Sequence, residues 1–258
     1  MVKAKKHLGQ HFLTDPSIAR RIVDSLELEP GASVLEIGPG TGVLTGLLLE
    51  KDIRLLPVEI DRESVIHLKQ KWPELAPGII EADFLKLDLE KHVDGPFHMI
   101  GNFPYNISSQ IFFRILEYRQ QIPSVVCMVQ QEVAGRIVSP PGTRTYGILS
   151  VLLQAYFDVS MLFRVKPGSF FPPPKVTSSV IRLTRNQIPG LPCNESLFFR
   201  VVKTTFNQRR KMIRNSIKSI LLNLDDDYDL LSKRPEQLGV DEFIDLTNWV
   251  ESHQREES

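Results

Sequence analysis

The chain has 258 residues, 42% of them hydrophobic and 24% charged. At roughly 100–200 residues per domain this is one large domain, or one with a small appendage, and so ordinary a composition excludes fibrous repeats and wholesale disorder. The formal net charge is zero, yet residues 159–224 carry twelve Lys and Arg against the single acid Glu195, a local +11 balanced by −11 elsewhere. Charge separated this sharply points to a polyanion-binding face on an otherwise acidic protein. No apolar run approaches the ~20 residues of a membrane span. The basic start, with Lys3, Lys5 and Lys6, lacks the apolar stretch of a secretory signal. Two cysteines, Cys127 and Cys193, cannot build a disulfide framework and read as free thiols of a cytoplasmic protein.

The first two-thirds alternates short apolar runs with amphipathic segments. Asp15 before Pro16 is an N-cap with proline at the first helical position, opening a helix over 16–28. Strands are predicted over 33–37, 54–60, 78–82, 97–101 and 125–130, with helices over 42–51, 62–71 and 108–119 between them. This alternation predicts an α/β fold with a doubly wound, mainly parallel sheet. Residues 145–157 are apolar almost all round and predict a buried helix. Runs at 159–165 and 178–184 read as a strand pair at the sheet edge, joined by a proline-rich loop. A linker over 186–194 then leads to a helical segment, beginning with one long helix from 195 to about 222. The expected domains are 1–185, the α/β part, and 186–258, a small all-helical part.

The first strand runs into Glu36-Ile-Gly-Pro-Gly-Thr-Gly42, and Glu59 closes the next strand, 21 residues beyond Gly38. Glycines allow a tight turn and close approach to a ligand, and a strand-end carboxylate suits ribose hydroxyls. A dinucleotide wants a third glycine where Val43 stands, so the pattern favours S-adenosylmethionine (SAM), although a bare turn has the same glycines. Asp83, after the third strand, is placed either to read the adenine of that cofactor or to cap a helix.

The fourth strand ends in Asn102-Phe-Pro-Tyr105. An exocyclic amine on an aromatic ring has two N–H donors and a delocalised lone pair. The Asn102 side-chain oxygen and the Phe103 carbonyl would each accept one N–H, Pro104 keeps Phe103 out of the α region, and Tyr105 offers a stacking face. No covalent intermediate, catalytic histidine or metal is needed, and the histidines and cysteines lack metal-ligand spacing.

Six ordered motifs now converge: Lys6-His-Leu-Gly-Gln-His-Phe-Leu13, Glu36-Ile-Gly-Pro-Gly40, Val58-Glu-Ile-Asp61, Asn102-Phe-Pro-Tyr105, Phe170-Phe-Pro-Pro-Pro-Lys-Val176 and Phe206-Asn-Gln-Arg-Arg-Lys211 with Ile213-Arg-Asn215. Nearly end to end, the chain resembles the SAM-dependent dimethyladenosine transferases of small-subunit ribosomal RNA. The resemblance implies a Rossmann-like methyltransferase that dimethylates the N6 of adenosines, two adjacent ones in this family, within an immature small ribosomal subunit. A monomer needing neither membrane nor metal is expected. It also implies that the segment around His11 and Leu13 closes over SAM, that Gly38 with Gly40, Glu59 and Asp83 line its methionine, ribose and adenine ends, and that Asn102 serves both cofactor and target. Tyr105 and Phe170 would sandwich the target adenine. His11 stands where the family usually has Asn, and Phe103 where it usually has Leu. The competing readings are a DNA adenine methyltransferase and a non-catalytic assembly factor on the same fold.

On the long C-terminal helix, Lys203, Arg210, Arg214 and Lys218 would form one stripe beside an apolar face of Val202, Phe206, Ile213, Ile217 and Ile220. The stripe is the expected contact to ribosomal RNA phosphates.

Overall fold

The computed structural model describes residues 2–221 and 228–256. In chain order its strands and α-helices are β1 (Phe12–Leu13), α1 (Pro16–Asp24), β2 (Ala32–Ile37), α2 (Val43–Leu48), β3 (Ile53–Glu59), α3 (Arg62–Lys71), β4 (Ile80–Glu81), β5 (Phe97–Asn102), α4 (Ser108–Glu117), β6 (Ser124–Gln130), α5 (Gln131–Ile137), α6 (Ile148–Gln154), β7 (Phe157–Val165), β8 (Phe170–Phe171), β9 (Ser178–Arg185), α7 (Glu195–Asn207), α8 (Ile213–Ser216) and α9 (Val240–Glu256). Among the described residues no helix is long and apolar enough to cross a membrane.

The main sheet runs β4-β3-β2-β5-β6-β9-β7, and β1 pairs with β8 in a separate ladder. The first five strands are parallel, and β9 is antiparallel to β6. The expected edge pair is therefore present as β9 and β7. In β6 every residue from Val125 to Val129 is fully buried. Because successive side chains point to opposite faces, both faces of the strand are covered, as a doubly wound sheet requires. Cys127 lies in this run, and burial pushes its thiol pKa up. The strand order reverses between β2 and β5, so the carboxyl ends of these two strands flank a topological switch, the place where open α/β sheets bind ligands.

Local chemistry sets the helix ends. Asp15 accepts from the Ser17 and Ile18 N–H groups at the start of α1. The helix stops at Asp24, short of the predicted Leu28, as the Ser25 hydroxyl turns back onto the Arg21 carbonyl at 2.7 Å. Helix α3 fills its predicted span, with Asp61 capping Glu63 N–H at 3.2 Å.

The chain divides into two compact units. One is the chain up to Ala134 with Asp158–Arg185; the other is Gly135–Phe157 with everything from Asn186 onward. The predicted boundary at 185 is thus only half of the division: residues 135–157 belong with the C-terminal helices rather than with the sheet unit. The reason is aromatic packing. Tyr146 is fully buried edge-on to Phe206 at 6.1 Å, and Phe206 stacks on Phe243 at 5.8 Å. Helix α6 packs on α7 and α9 in the same core. A helix that is apolar all round announces burial but not which core receives it.

The long C-terminal helix also differs from expectation. Asn194 caps α7 through Leu197 N–H at 3.1 Å, but α7 ends at Asn207. Gln208 leaves the helical region at φ −117° and ψ 39°. Gln208, Arg209 and Arg210 form a turn that Lys211 N–H closes onto the Gln208 carbonyl at 2.8 Å. Ile213 N–H then goes to the Lys233 carbonyl at 2.9 Å, fixing the new direction. The predicted terminus, Leu222, lies outside the described residues. The apolar set Val202, Phe206, Ile213, Ile217 and Ile220 is nevertheless buried throughout.

Candidate active site

At the end of β2 the chain turns through Gly38, Gly40 and Gly42, all with positive φ. Gly40 cannot be replaced: its φ is 58°, and a Cβ there would stand 2.8 Å from the Phe12 ring. Its N–H donates to Glu59 Oε2 at 3.0 Å, while Asp61 N–H donates to Glu59 Oε1 at 2.8 Å. Glu59, at the end of β3, therefore ties the glycine turn to the neighbouring strand. Burial raises its pKa, and the backbone donors oppose that rise. Each carboxylate oxygen retains capacity for a further donor.

Glu36 behaves differently. It is 1% exposed, accepts from the Thr45 hydroxyl at 2.7 Å, and burial pushes its pKa up to about 8. The folded state holds this proton while the unfolded chain releases it near 4.5. Stability contributed by the neutral form is complete below that value and falls as pH rises toward 8, by up to about 1.4 kcal/mol per unit. Glu36→Gln, a neutral isostere, should flatten that loss. Unfolding titrations at pH 5 and pH 8 check it, and identical pH dependence in variant and wild type would count against a buried neutral acid.

At the end of β5, Gly101 leaves room for the neighbouring backbone, since a Cβ would lie 2.6 Å from the Ile37 carbonyl oxygen. Phe103 N–H donates to the Met128 carbonyl at 3.0 Å, and its ring is buried edge-on to Phe112 at 5.8 Å. The turn is thus fixed on both sides of Asn102. Asn102 Nδ2 donates to the His11 carbonyl at 2.8 Å. Its Oδ1 is buried without a hydrogen-bond partner. An unmatched buried acceptor costs about 1–3 kcal/mol, so this atom asks for a donor from a ligand. The Tyr105 hydroxyl is hydrogen-bonded to Ser178 Oγ, and its ring stacks on His11 at 5.4 Å and 30°. His11 Nδ1 lies 2.8 Å from the Pro172 carbonyl, which can only accept, so that nitrogen carries the proton.

One pocket brings together His11, Gly38, Gly40, Glu59, Asp83 and the whole turn Asn102, Phe103, Pro104 and Tyr105. Asp83 caps no helix: it accepts from Leu85 N–H at 3.0 Å in a local turn. Two expected residues do not line the pocket. Leu13 and Phe170 are cross-strand partners in the β1–β8 ladder, each 4% exposed and packed in the core. Strand alternation explains this: Phe12 and Phe171 share the opposite face, where Phe12 reaches the pocket and Phe171 is 67% exposed. The basic stripe is likewise broken. Lys203 lies on α7, Arg210 in the turn, Arg214 on α8 and Lys218 beyond it; Arg214 is half-buried and the other three are exposed.

The segment expected around His11 does reach the pocket, where Leu8, Gly9, Gln10 and Phe12 add to the lining; sequence reasoning missed its tie to Asp61 through Lys5 and Gln10. The signal was present in the cationic start and in Asp61, but nothing local joins residues so far apart. Among the described residues, no group of three or more His, Cys, Asp or Glu stands together to hold a metal.

A family profile described as "Ribosomal RNA adenine dimethylase" matches residues 1–249. Two bacterial proteins named "Ribosomal RNA small subunit methyltransferase A" are similar over nearly the full length. That of Phocaeicola vulgatus is 55% identical over 98% of this chain and 91% of its own, and that of Bacteroides thetaiotaomicron 56% identical over 97% and 95%. Among solved structures, a dimethyladenosine transferase from Plasmodium falciparum has the same fold (TM-score 0.77, 23% identity, 95% of this chain and 98% of that one). The 23S rRNA methyltransferase ErmE superposes with a TM-score of 0.67 at 29% identity, over 91% and 99% of the two chains. The chain belongs to the ribosomal RNA adenine dimethylase family.

Proposed function

We propose that this protein transfers methyl groups from SAM to the N6 amino group of adenosines in small-subunit ribosomal RNA, dimethylating each target within an immature subunit. The observation that carries the reading is the buried, partnerless Oδ1 of Asn102, at the carboxyl end of a switch-point strand, in one pocket with Glu59 and the glycine turn. The pocket suits SAM: beyond its own chain neighbours no residue comes within 4 Å of where a Gly38 Cβ would be, and two carboxylates supply acceptors for hydroxyl and amine donors. SAM, when bound, supplies an electrophilic methyl group that carries its own leaving group.

The residues then have positioning tasks. Glu59 accepts from ribose hydroxyls while holding the Gly40 and Asp61 N–H groups. Asp83 accepts from the cofactor's adenine amine. Asn102 Oδ1 and the Phe103 carbonyl take the two N–H groups of the target, directing its lone pair forward. Tyr105, backed by His11 and fixed by Ser178, offers the aromatic face for the flipped base and for the cationic amine formed on transfer. After one methylation a single N–H remains, so one acceptor suffices in the second round.

Tritiated methyl transfer to immature small subunits, with mapping of the modified nucleotides, tests the assignment. Preference for duplex DNA or absence of any transfer would overturn it. Glu59→Ala should weaken SAM binding about ten-fold or more, a charge-assisted contact being worth roughly 1.5–3 kcal/mol, and should also lower the melting temperature by freeing two backbone N–H groups. Glu59→Gln should recover stability more than affinity; unchanged calorimetric affinity in both variants would remove Glu59 from the cofactor site.

RNA phosphates are gripped by the exposed cations of the helical unit, a reading supported by the seven Lys and Arg that residues 186–224 carry against the single acid Glu195. Within the expected set of Lys203, Arg210, Arg214 and Lys218, the exposed Arg210 and Lys218 are the cleanest probes. Replacing both with Ala should leave SAM affinity intact and reduce the log–log salt slope of RNA binding by roughly 1.4–1.8. An unchanged slope would place the RNA-binding surface elsewhere.

A further inference from the structure

Residues 8–12 line the pocket, and the segment from Lys5 to Leu13 is tied down at both of its ends. On one side Lys5 Nζ is 2.5 Å from Asp61 Oδ1 and 3.2 Å from Glu63. Gln10 Nε2 donates to Asp61 Oδ2 at 3.3 Å, and Lys5 N–H donates to Gln10 Oε1 at 2.8 Å. On the other side His11 Nδ1 donates to the Pro172 carbonyl, and Phe12 and Leu13 pair with Phe171 and Phe170. Between these anchors the His11 carbonyl accepts from Asn102 Nδ2.

That last bond decides which way the Asn102 amide faces. A flipped amide would set two acceptors, Oδ1 and the His11 oxygen, against each other. With Nδ2 committed to His11, Oδ1 must face away from it, and Oδ1 is the buried atom without a partner. The backbone position of His11 therefore selects the catalytic orientation of Asn102. Asp61 governs that position from one side. It is 2% exposed, does not line the pocket, and gathers Lys5 and Gln10 while capping α3 through Glu63 N–H and the Ser64 hydroxyl. Lys5 also meets Glu63 at 3.2 Å, and a further side-chain tie near this end, Asn106 Nδ2 to the His7 carbonyl, is long at 3.5 Å.

We propose that Asp61 is a positioning residue for methyl transfer: by fastening the segment through Lys5 and Gln10 it holds the His11 carbonyl that orients Asn102. The inference rests on reading Asn102 as the acceptor of the target amine. Asp61→Asn and Lys5→Met remove the ion pair from opposite ends, and Lys5→Arg keeps it. Two quantities are measured on the full chain: single-turnover methyl transfer at saturating SAM and RNA, and tryptic cleavage after Lys6 in the free protein. The two disruptive variants should be cut about ten-fold faster and should transfer about ten-fold more slowly even at saturation, as expected for a displaced catalytic group. Lys5→Arg should behave like wild type in both.

A variant that only weakens SAM binding, with the saturated rate unchanged, would show the segment to be a cofactor cover and overturn the proposal. Unchanged cleavage in both disruptive variants would overturn the tether itself. Should Asp61→Asn fail to fold through loss of the α3 cap, Lys5→Met decides the matter, since Lys5 lies outside every helix and strand. A wild-type protein that moves no methyl group to RNA overturns the reading of the site instead, an outcome distinct from unchanged cleavage.

Discussion

Asn102→Ala is expected to lower the single-turnover rate of methyl transfer by about 10²–10³ while leaving RNA affinity within a few-fold, because the effect of one preorganised acceptor is felt mainly in the transition state. The substitution removes the orphaned Oδ1 and the donor to the His11 carbonyl together. The first loss deprives the target amine of an acceptor as positive charge develops on it. The second leaves the His11 carbonyl without its donor at the middle of the segment. Asn102→Asp separates the two: it restores an acceptor but sets a carboxylate against the His11 oxygen, so it should rescue poorly. Rapid-quench measurements at saturating SAM and RNA decide the matter, and an Asn102→Ala rate within a few-fold of wild type would contradict the role assigned to this residue.

The sheet was readable in the sequence because its signals are local. Apolar runs at 33–37 and 125–130, the Asp15-Pro16 cap and the Asp61-led helix each depend on residues within a few positions of one another, and each is found within a residue or two of its predicted place. The pocket was readable for the same reason: the glycine turn, Glu59, Asp83 and the turn at Asn102 all sit at strand ends on one edge of a parallel sheet. What failed depends on distant partners. Residues 145–157 show that they are buried, but only Phe206 and Phe243, far along the chain, show where. The cationic stripe required α7 to continue through Arg209, Arg210 and Lys211, and the tertiary bond from Ile213 to Lys233 redirects the chain there. Asp61 belongs to the local motif Val58-Glu-Ile-Asp61, yet its bonds to Lys5 and Gln10 span more than 50 residues.

Phe170 is the sharpest test of that distinction, and Phe170→Ala is expected to cost about 3–5 kcal/mol of folding stability, the usual range for a phenylalanine emptied from a core. Resemblance pairs Phe170 with Tyr105 around the target base, whereas the fold turns it inward beside Leu13 and leaves Phe171 on the open face. The Ala variant alone does not separate these roles, because a destabilised protein also turns over poorly. Phe170→Leu does. Leucine keeps most of the apolar volume, so a core role predicts a loss of about 1–2 kcal/mol and near-normal transfer in the folded protein. A stacking role predicts the reverse: a stable variant whose base binding weakens by about 1–3 kcal/mol. Phe171→Ala completes the set, since a 67% exposed ring should contribute little to stability. Denaturant unfolding alongside single-turnover kinetics on the three variants reads both quantities. A stable Phe170→Leu variant with transfer reduced ten-fold or more would show that Phe170 leaves the core to meet the base.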